Sequence, residues 1–390
     1  MGRTLDALDL VLVGGGHAHV QVLRRLAVAP LPHARVTLVL DRPEAVYSGM
    51  VPGFAAGEYA MHELEIDVAA LARHAGAALV LAPATRVDAA QRRIEVGGRE
   101  PLRYDLASLD VGASLRGLEL PGVREDALPT RPIRAFVDRL EAQLAASLRA
   151  TSRARVAVVG GGAAGVELAF CLEARLRGAG RRPEVALIDA SPDPLAGLPA
   201  ALRRRARVEA KRRGVTLLGG RAATRVEADA VWLGDEQRAA DIVVWATGAA
   251  PWPWLRESPL PLDAQGFVRV RPTLQVVGYD DLYAVGDCAS LDGAPWVPKA
   301  GVHAVREGPP LERNLRAGVA GVCGESNASR APAPYRPQGD FLALLNLGDG
   351  RALGAKWGMA VGGRAIRRLK DHVDRGFVQR FRVAPAAPHA

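Results

Sequence analysis

The chain has 390 residues, 49% of them hydrophobic, with a formal net charge of +9 and three cysteines. That length calls for two or three domains, and that hydrophobic share is enough for globular cores. No apolar run approaches the roughly 18 residues that a membrane span needs, and Cys171, Cys288 and Cys323 stand too far apart for a zinc knuckle or a disulfide framework.

Lysine occurs only at 211, 299, 356 and 370, so nearly all the positive charge is arginine. Two readings stand: the composition of a GC-rich genome, or attraction to an anionic surface such as lipid, nucleic acid or nucleotide. The N-terminal "MGRTLDALDL" carries acids and runs straight into a strand, which argues against a secretory signal. The expected location is the cytoplasm or the inner face of the cell membrane.

The first unit reads as a strand (Asp9–Val13), a glycine turn, a helix (His17 to about Ala27) and a strand (Ala34–Leu40) that ends in Asp41. In "GGGHAHV", Gly14 and Gly16 fill the first two places of G-x-G-x-x-G, but His19 holds the third. The expected cost of His19 is a wider helix–strand gap or a ring turned out of it. His17 and His19, two apart at a helix start, point to different faces, so no metal site is expected there or elsewhere. A loop rich in Gly and Pro follows, "DRPEAVYSGMVPGFAAGEY". Then come a helix near Glu63–Ala75 and a meander of strands, "ATRVDA", "RRIEVGG" and "LRYDLASLDVGA".

After the long helix "PTRPIRAFVDRLEAQLAASLRA", the run "RARVAVVGGGAAGVELAF" repeats the opening strand–turn–helix. Here Gly160, Gly162 and Gly165 complete the fingerprint. The first glycine makes the tight turn, the second lets a pyrophosphate approach the backbone, and the third lets helix and strand pack closely. The helix N-terminus offers unpaired N–H groups and the positive end of its dipole. Asp189 ends the next strand, where an acid can hold a ribose 2′-OH, and no arginine follows directly in "DASPDP". That favours NADH over NADPH. A turn kept for packing alone would have to arise twice in the same context.

The second unit ends with "ADIVVWATGAAP". "DLYAVGDCAS", a helix in "VPKAGVHAVREGPPLERNLRAG" and a Ser/Ala/Pro linker, "SNASRAPAPYRP", follow. The tail predicts strands in "FLALLNLG" and "RALGAKWG" and a last helix. In that helix Ile366, Leu369, Val373, Phe377 and Phe381 form an apolar stripe, while Arg367, Arg368, Lys370, Arg375 and Arg380 decorate other faces. Such a helix can lie on an anionic membrane, or dock its stripe on its own protein's core.

Together "GGGHAHV…DRPEAVYSGMVPG", "GGGAAGVELA", "ATGAAP", "LYAVGDCAS" and "KAGVHAVREGPPLERNL" resemble the two-dinucleotide-domain flavoproteins of the pyridine nucleotide–disulfide oxidoreductase superfamily. The chain is similar to type II NADH dehydrogenases within it, and to a branch fused to, or found beside, selenophosphate synthetase. The resemblance implies an α/β fold of two Rossmann-like dinucleotide-binding domains and a small α+β C-terminal region. The FAD domain would span 1–115 and 255–330, the NAD domain 116–254, and the C-terminal region 331–390.

The resemblance also implies site residues. FAD would meet Gly14, Gly16, His19, Asp41, Arg42, Gly112 and Asp287, and NAD(H) would meet Gly160, Gly162, Gly165, Asp189 and Gly248. Asp41 would hold the adenosine ribose, and Asp287 the ribityl or pyrophosphate region; otherwise Asp287 reads as a helix N-cap. Gly112 and Gly248 would mark the crossovers between domains. Catalytic roles would fall to Glu167 and Lys299. Glu167 would lie near nicotinamide and flavin, or simply favour the helix dipole. Lys299 would steady the reduced flavin at N1 or O2, or be a solvated loop lysine. His303 would face the flavin or be packed, and Tyr47, Ser48, Gly49 and Met50 would line its other side. No cysteine pair follows the first unit, so a dithiol relay is not expected. Val302 and Arg306 replace the glutamines of the related quinone-pocket pattern. The expected reaction takes hydride from NADH to flavin and passes electrons to a quinone or a selenium or sulfur species. The other reading is an NADH-sensing flavoprotein with a redox-dependent binding surface and little turnover. Nucleic acid is not an expected partner.

Overall fold

The computed structural model describes residues 7–150, 153–323 and 332–383. The first half of the expected linker, 326–331, lies outside the described residues.

Two five-stranded parallel sheets organise the chain. The first has the spatial order Leu282–Ala284, Leu106–Leu109, Leu8–Val13, Ala34–Leu40, Ala78–Leu81. The second has Leu128–Pro129, Ile242–Trp245, Arg153–Val159, Arg182–Ile188, Thr216–Leu218. Their inner strands are apolar on both sides, as strands covered on both faces must be: helices pack on one face and an antiparallel meander on the other. In each sheet the central strand carries the glycine turn. The following strand lies on one side of it and a much later one on the other, so each sheet has a crevice at its carboxyl edge where strand order reverses.

The duplication extends further. Each sheet has an antiparallel satellite, Ala84–Asp88 with Arg93–Val96 and Leu102–Arg103, and Ala223–Glu227 with Ala230–Leu233 and Glu236–Ala239. The run expected as one strand, "LRYDLASLDVGA", is therefore divided. Leu102–Arg103 closes the meander, and Leu106–Leu109 enters the parallel sheet as a fully buried strand. The helix expected near Glu63–Ala75 is also divided, into Met61–Leu64 and Val68–His74, by a short strand Glu65–Asp67 that pairs with Glu44–Val46. The two segments that cross between the sheets are joined: Ser114–Leu115 pairs antiparallel with Ala249–Ala250. Around it the Thr247 hydroxyl and the Trp245 indole N–H both donate to the Arg116 carbonyl, at 2.7 and 2.8 Å.

The C-terminal region is an antiparallel sheet of Ala343–Asn346, Ala352–Lys356 and Met359–Gly363, followed by a helix, Arg364–Gln379, that runs unbroken through Gly376. The sheet packs on the second-turn helix, Ala163–Gly178, and on the Ala200–Arg213 helix. A buried ion pair, Arg213 with Glu173, clamps it there, because Arg213 also donates to the carbonyls of Leu347 and Phe170 at 2.7 Å each.

The terminal helix inverts one expectation. Phe377 and Phe381 are buried, but Leu369 and Val373 are 40% and 45% exposed, and the inward positions at their level are Lys370 and Asp374. Arg367 pairs with Glu58, and Arg375 with Glu63, so the helix docks on acids of the first unit. Among the described residues no helix is long and apolar enough to cross a membrane.

Candidate active site

The second glycine turn has the geometry of a phosphate cradle. Gly160 has φ +120°, and a Cβ there would overlap the Ala246 carbonyl; a Cβ on Gly165 would overlap the Gly160 carbonyl. The first and third glycines are thus required by backbone contact. Gly162 differs, since a Cβ there would meet nothing within 4 Å. Its front is open, and no described side chain caps the amides of Ala163, Ala164 and Gly165. Asp189 lies at the rim, its Oδ2 accepting the Gly161 N–H at 2.7 Å and its Oδ1 the Ser191 N–H at 2.8 Å. The Ser191 hydroxyl also donates to Oδ1, so Oδ2 is the oxygen that keeps a lone pair for a further hydroxyl. Gly248 is in the paired crossover against Arg116.

The first turn is built differently. Gly14 has φ +93° and a Cβ there would overlap the Asp110 carbonyl. His19 is neither turned outwards nor in reach of a ligand in front of the turn. Its ring is fully buried, with Nδ1 2.7 Å from the Gly14 carbonyl and Nε2 2.8 Å from the Ser108 hydroxyl. Burial holds its pKa down to about 4, so a neutral ring bolts the turn to the neighbouring strand. That corrects its expected place at the cofactor: it is a support beneath the turn. The helix begins at His19, not His17, because Asp110 accepts the N–H groups of Ala18 and His19 at 2.9 Å each. Asp41 and Arg42 are exposed at the carboxyl end of the next strand, open to an adenosine half. Gly112, with φ +63°, also faces open space.

Asp287 lies in the turn Gly286–Cys288 and caps no helix; its Oδ2 accepts from Arg131 Nη2 at 2.7 Å. It lines a cavity of about 360 Å³ with Lys299, His303, Glu307, Arg116 and Gly248. Lys299 is half-buried. It donates to the Ala289 carbonyl, lies 4.2 Å from the centre of the Phe267 ring, and burial lowers its pKa. Glu307 accepts the Gly286 N–H at 2.5 Å, and burial pushes it up to about 8. His303 is tied by Nδ1 to the Tyr335 hydroxyl at 2.8 Å, while Arg306 is exposed and Val302 half-buried.

Glu167 faces inward, and the terminal helix completes its surroundings. Its Oε1 accepts the Asn346 N–H at 2.7 Å and lies 3.6 Å from Lys370 Nζ. Lys370, 6% exposed, lies 3.1 Å from Asp374 and donates to the Gly49 carbonyl at 3.0 Å. The Tyr47 hydroxyl donates to Asp374 at 3.4 Å. Burial pushes Glu167 and Asp374 up, with Lys370 offsetting only part of it. Burial alone would lower Lys370, but the two carboxylates outweigh it and keep the ammonium charged. One cation between two buried acids whose pKa values burial raises makes a coupled cluster of titratable groups.

Beside that cluster runs an aromatic stack. Tyr47 and Phe377 lie 4.6 Å apart at 27°, His17 stacks on Phe377 at 5.6 Å, and Phe381 follows at 4.9 Å. His17 Nε2 is buried without a partner, next to Gly301 and Ser48. An orphaned ring nitrogen facing the loop Tyr47–Met50, an open Gly162 and an exposed Asp41 are the features a pair of dinucleotides would satisfy. Cys171 and Cys288 are buried, and burial pushes both thiols up, Cys288 to about 12, so neither forms a thiolate readily.

The structure thus distributes the expected site residues: the glycines and Asp189 at the turns with His19 beneath the first, Asp287, Lys299 and Gly248 along one cavity, and Glu167 beside Lys370. The side chains missed are His17, Asp110, Arg131, Glu307, Lys370 and Asp374. Two carried a signal: Asp110 departs from the alanine of "ATG", and Lys370 is one of four lysines, with Asp374 one helical turn on.

The family described as pyridine nucleotide-disulphide oxidoreductase matches residues 8–308. The chain is 29% identical over 287 residues to the NADH dehydrogenase-like protein YutJ of Bacillus subtilis (strain 168), covering 73% of this chain and 78% of that one. It is 25% identical over 349 residues to the demethylphylloquinone reductase NdbB of Synechocystis, covering 86% and 84%. In shape it resembles the sulfide:quinone oxidoreductase from Aquifex aeolicus, with TM-score 0.80, 16% identity and coverage of 97% and 93%. It also resembles NDH2 from Plasmodium falciparum in complex with NADH, with TM-score 0.74, 13% identity and coverage of 96% and 97%.

Proposed function

The chain belongs to the pyridine nucleotide-disulphide oxidoreductase family and is an FAD-dependent NAD(P)H oxidoreductase, and from that premise we propose that it carries electrons from NADH to a membrane quinone. FAD supplies the chemistry that couples a hydride donor to a different electron acceptor. Gly162 and the amides after it receive the pyrophosphate of NADH, and Asp189 its ribose. Gly14, Gly16, Asp41 and Arg42 receive the adenosine half of FAD, with Asp287, Lys299 and His17 along its length. Glu167 and Lys370 hold the proton that the reduced acceptor requires, with Lys370 Nζ at the Gly49 carbonyl as the donor nearest the loop.

The observation that carries the quinone reading is the inverted terminal helix. Its inner face brings Lys370 and Phe377 to the Tyr47–Met50 loop, and its outer face exposes Leu369 and Val373. The adjoining hairpin exposes Trp357, Met359 and Val361, with Lys356 lying over the Trp357 ring at 4.2 Å and Arg364 and Arg368 exposed nearby. Apolar side chains rimmed by cations suit an anionic membrane face, where a quinone resides and a water-soluble selenium or sulfur species does not. The buried, high-pKa thiols equally favour transfer without a cysteine relay.

The test is reduction by NADH, anaerobically, followed by addition of menaquinone or ubiquinone analogues, selenite or ferricyanide in turn. Fast reoxidation by a quinone is expected; reoxidation by selenite alone, or by no physiological acceptor, would sink the proposal. With vesicles containing anionic lipid and a long-chain quinone, Trp357→Ser/Leu369→Ser is expected to lose at least fivefold in turnover, as a few kcal/mol of interfacial burial implies, while a water-soluble analogue reacts as before. Equal loss on both acceptors argues against membrane docking. Asp287→Ala leaves Arg131 without its carboxylate partner, and about a tenfold or greater weakening of FAD is expected; full flavin content on purification would refute the role of Asp287.

A further inference from the structure

The two glycine turns differ at the spot where a phosphate would arrive. Asp110 and Ala246 are equivalent residues, each first after the strand that flanks the glycine strand. In the second unit the front of Gly162 is empty to 4 Å. In the first, the Asp110 carboxylate fills that front: a Cβ on Gly16 would overlap both its oxygens. Asp110 Oδ2 already accepts the Ala18 and His19 N–H groups at 2.9 Å, groups of the kind that the second turn leaves to a ligand. Asp110 is itself 3% exposed. His17 faces it from the turn, Asp287 and Cys288 from the Gly286–Cys288 turn, and Glu307 from the Gly301–Val322 helix, with Arg131 behind Asp287.

We propose that Asp110 is an internal stand-in for phosphate, which holds the first turn in its binding shape and takes up one proton from solvent when the pyrophosphate of FAD enters. The proposal rests on the reading that the first turn takes FAD. The reason is electrostatic. Two anions cannot both keep their charge in one water-poor cradle, and the pyrophosphate, the stronger acid, stays ionised. A protonated Asp110 changes from a competitor into a donor to it. Burial already pushes Asp110 up to about 6, with the Ala18 and His19 N–H groups and His17 pulling the other way, so the proton is within reach at neutral pH. Glu307, pushed up to about 8, carries its own proton at pH 7 and is not the acceptor.

Flavin-free protein titrated with FAD by calorimetry, in buffers of different ionisation enthalpy, is expected to take up about one proton per FAD at pH 7. Its Kd is expected to rise about tenfold per pH unit from pH 6.5 to 8, because the free protein then holds fewer protons than the complex. Asp110→Asn still accepts from the two amides but has no charge to neutralise. It is expected to bind FAD without that slope and at least tenfold more tightly than wild type at pH 8. His17→Gln is expected to keep the slope, even if affinity falls. No proton uptake by the wild type, a slope that survives Asp110→Asn, or a slope abolished by His17→Gln would each overturn the proposal, and the wild-type measurement does not depend on any variant folding. Failure of FAD to bind at every pH would instead sink the assignment of FAD to the first turn.

Discussion

Lys370→Met is expected to destabilise the protein by about 3–5 kcal/mol, a fall in Tm on the order of 5–10 °C. The substitution keeps the length and packing of the stem but leaves Glu167 and Asp374 buried without a cation, since Lys370 Nζ lies 3.6 and 3.1 Å from them. Both carboxyl groups, already raised by burial, would rise further. The folded state would then bind more protons than the unfolded state from about pH 4 upward, so stability of the variant falls as pH rises. The deficit should be small near pH 4 and full above neutrality. Glu167→Gln on top of Lys370→Met should recover a large part of it. Thermal unfolding from pH 4 to 8 measures this; a Tm equal to wild type at pH 8 would show that Lys370 is a surface residue. Quinone reduction should fall in both variants, while hydride transfer from NADH, followed by bleaching of the flavin, is retained.

The second large effect separates the glycines of the second turn. Gly165→Ala drives a Cβ into the Gly160 carbonyl, and neither backbone segment can yield without opening the helix–strand contact. NADH binding should be lost, with KM raised at least a hundredfold, and the domain destabilised by several kcal/mol. Gly162→Val places its Cβ where nothing lies within 4 Å. It should fold with wild-type Tm and full flavin, yet raise the KM for NADH at least tenfold, because the valine stands where the pyrophosphate must approach. Steady-state kinetics together with flavin content check both. An unchanged KM in Gly162→Val would mean that the nucleotide enters elsewhere.

The contrast between the turns shows what was legible in one dimension. Periodicity and spacing carry local backbone demands well. The complete turn at Gly160–Gly165 reads correctly as a turn because its fingerprint is a local spacing, with Gly165 packed on the Gly160 carbonyl within the same strand–turn–helix. "GGGHAHV" reads correctly as a turn and incorrectly at His19, because the ring is satisfied by Ser108, 89 positions away. Spacing says nothing of a partner that distant. The terminal helix failed in the opposite direction. Its stripe of Ile366, Leu369, Val373, Phe377 and Phe381 is a true helical periodicity, but hydrophobicity predicts burial only where the neighbouring surface is apolar. Here that surface offers Glu167, Tyr47 and the Gly49 carbonyl, so Lys370 and Asp374 turn inward and Leu369 and Val373 remain outside.

The amino-acid order by itself determined the α/β class, the duplicated strand–turn–helix, the sheet strands that carry the turns and the acids that follow them. These depend on residues close in sequence and on backbone sterics. Only the tertiary structure decided which groups share a site. The Asp110 carboxylate in front of Gly16, Arg131 on Asp287, and Lys370 beside Glu167 each join chain segments far apart in sequence. Burial of those charges is tolerable only because a partner arrives from elsewhere in the fold.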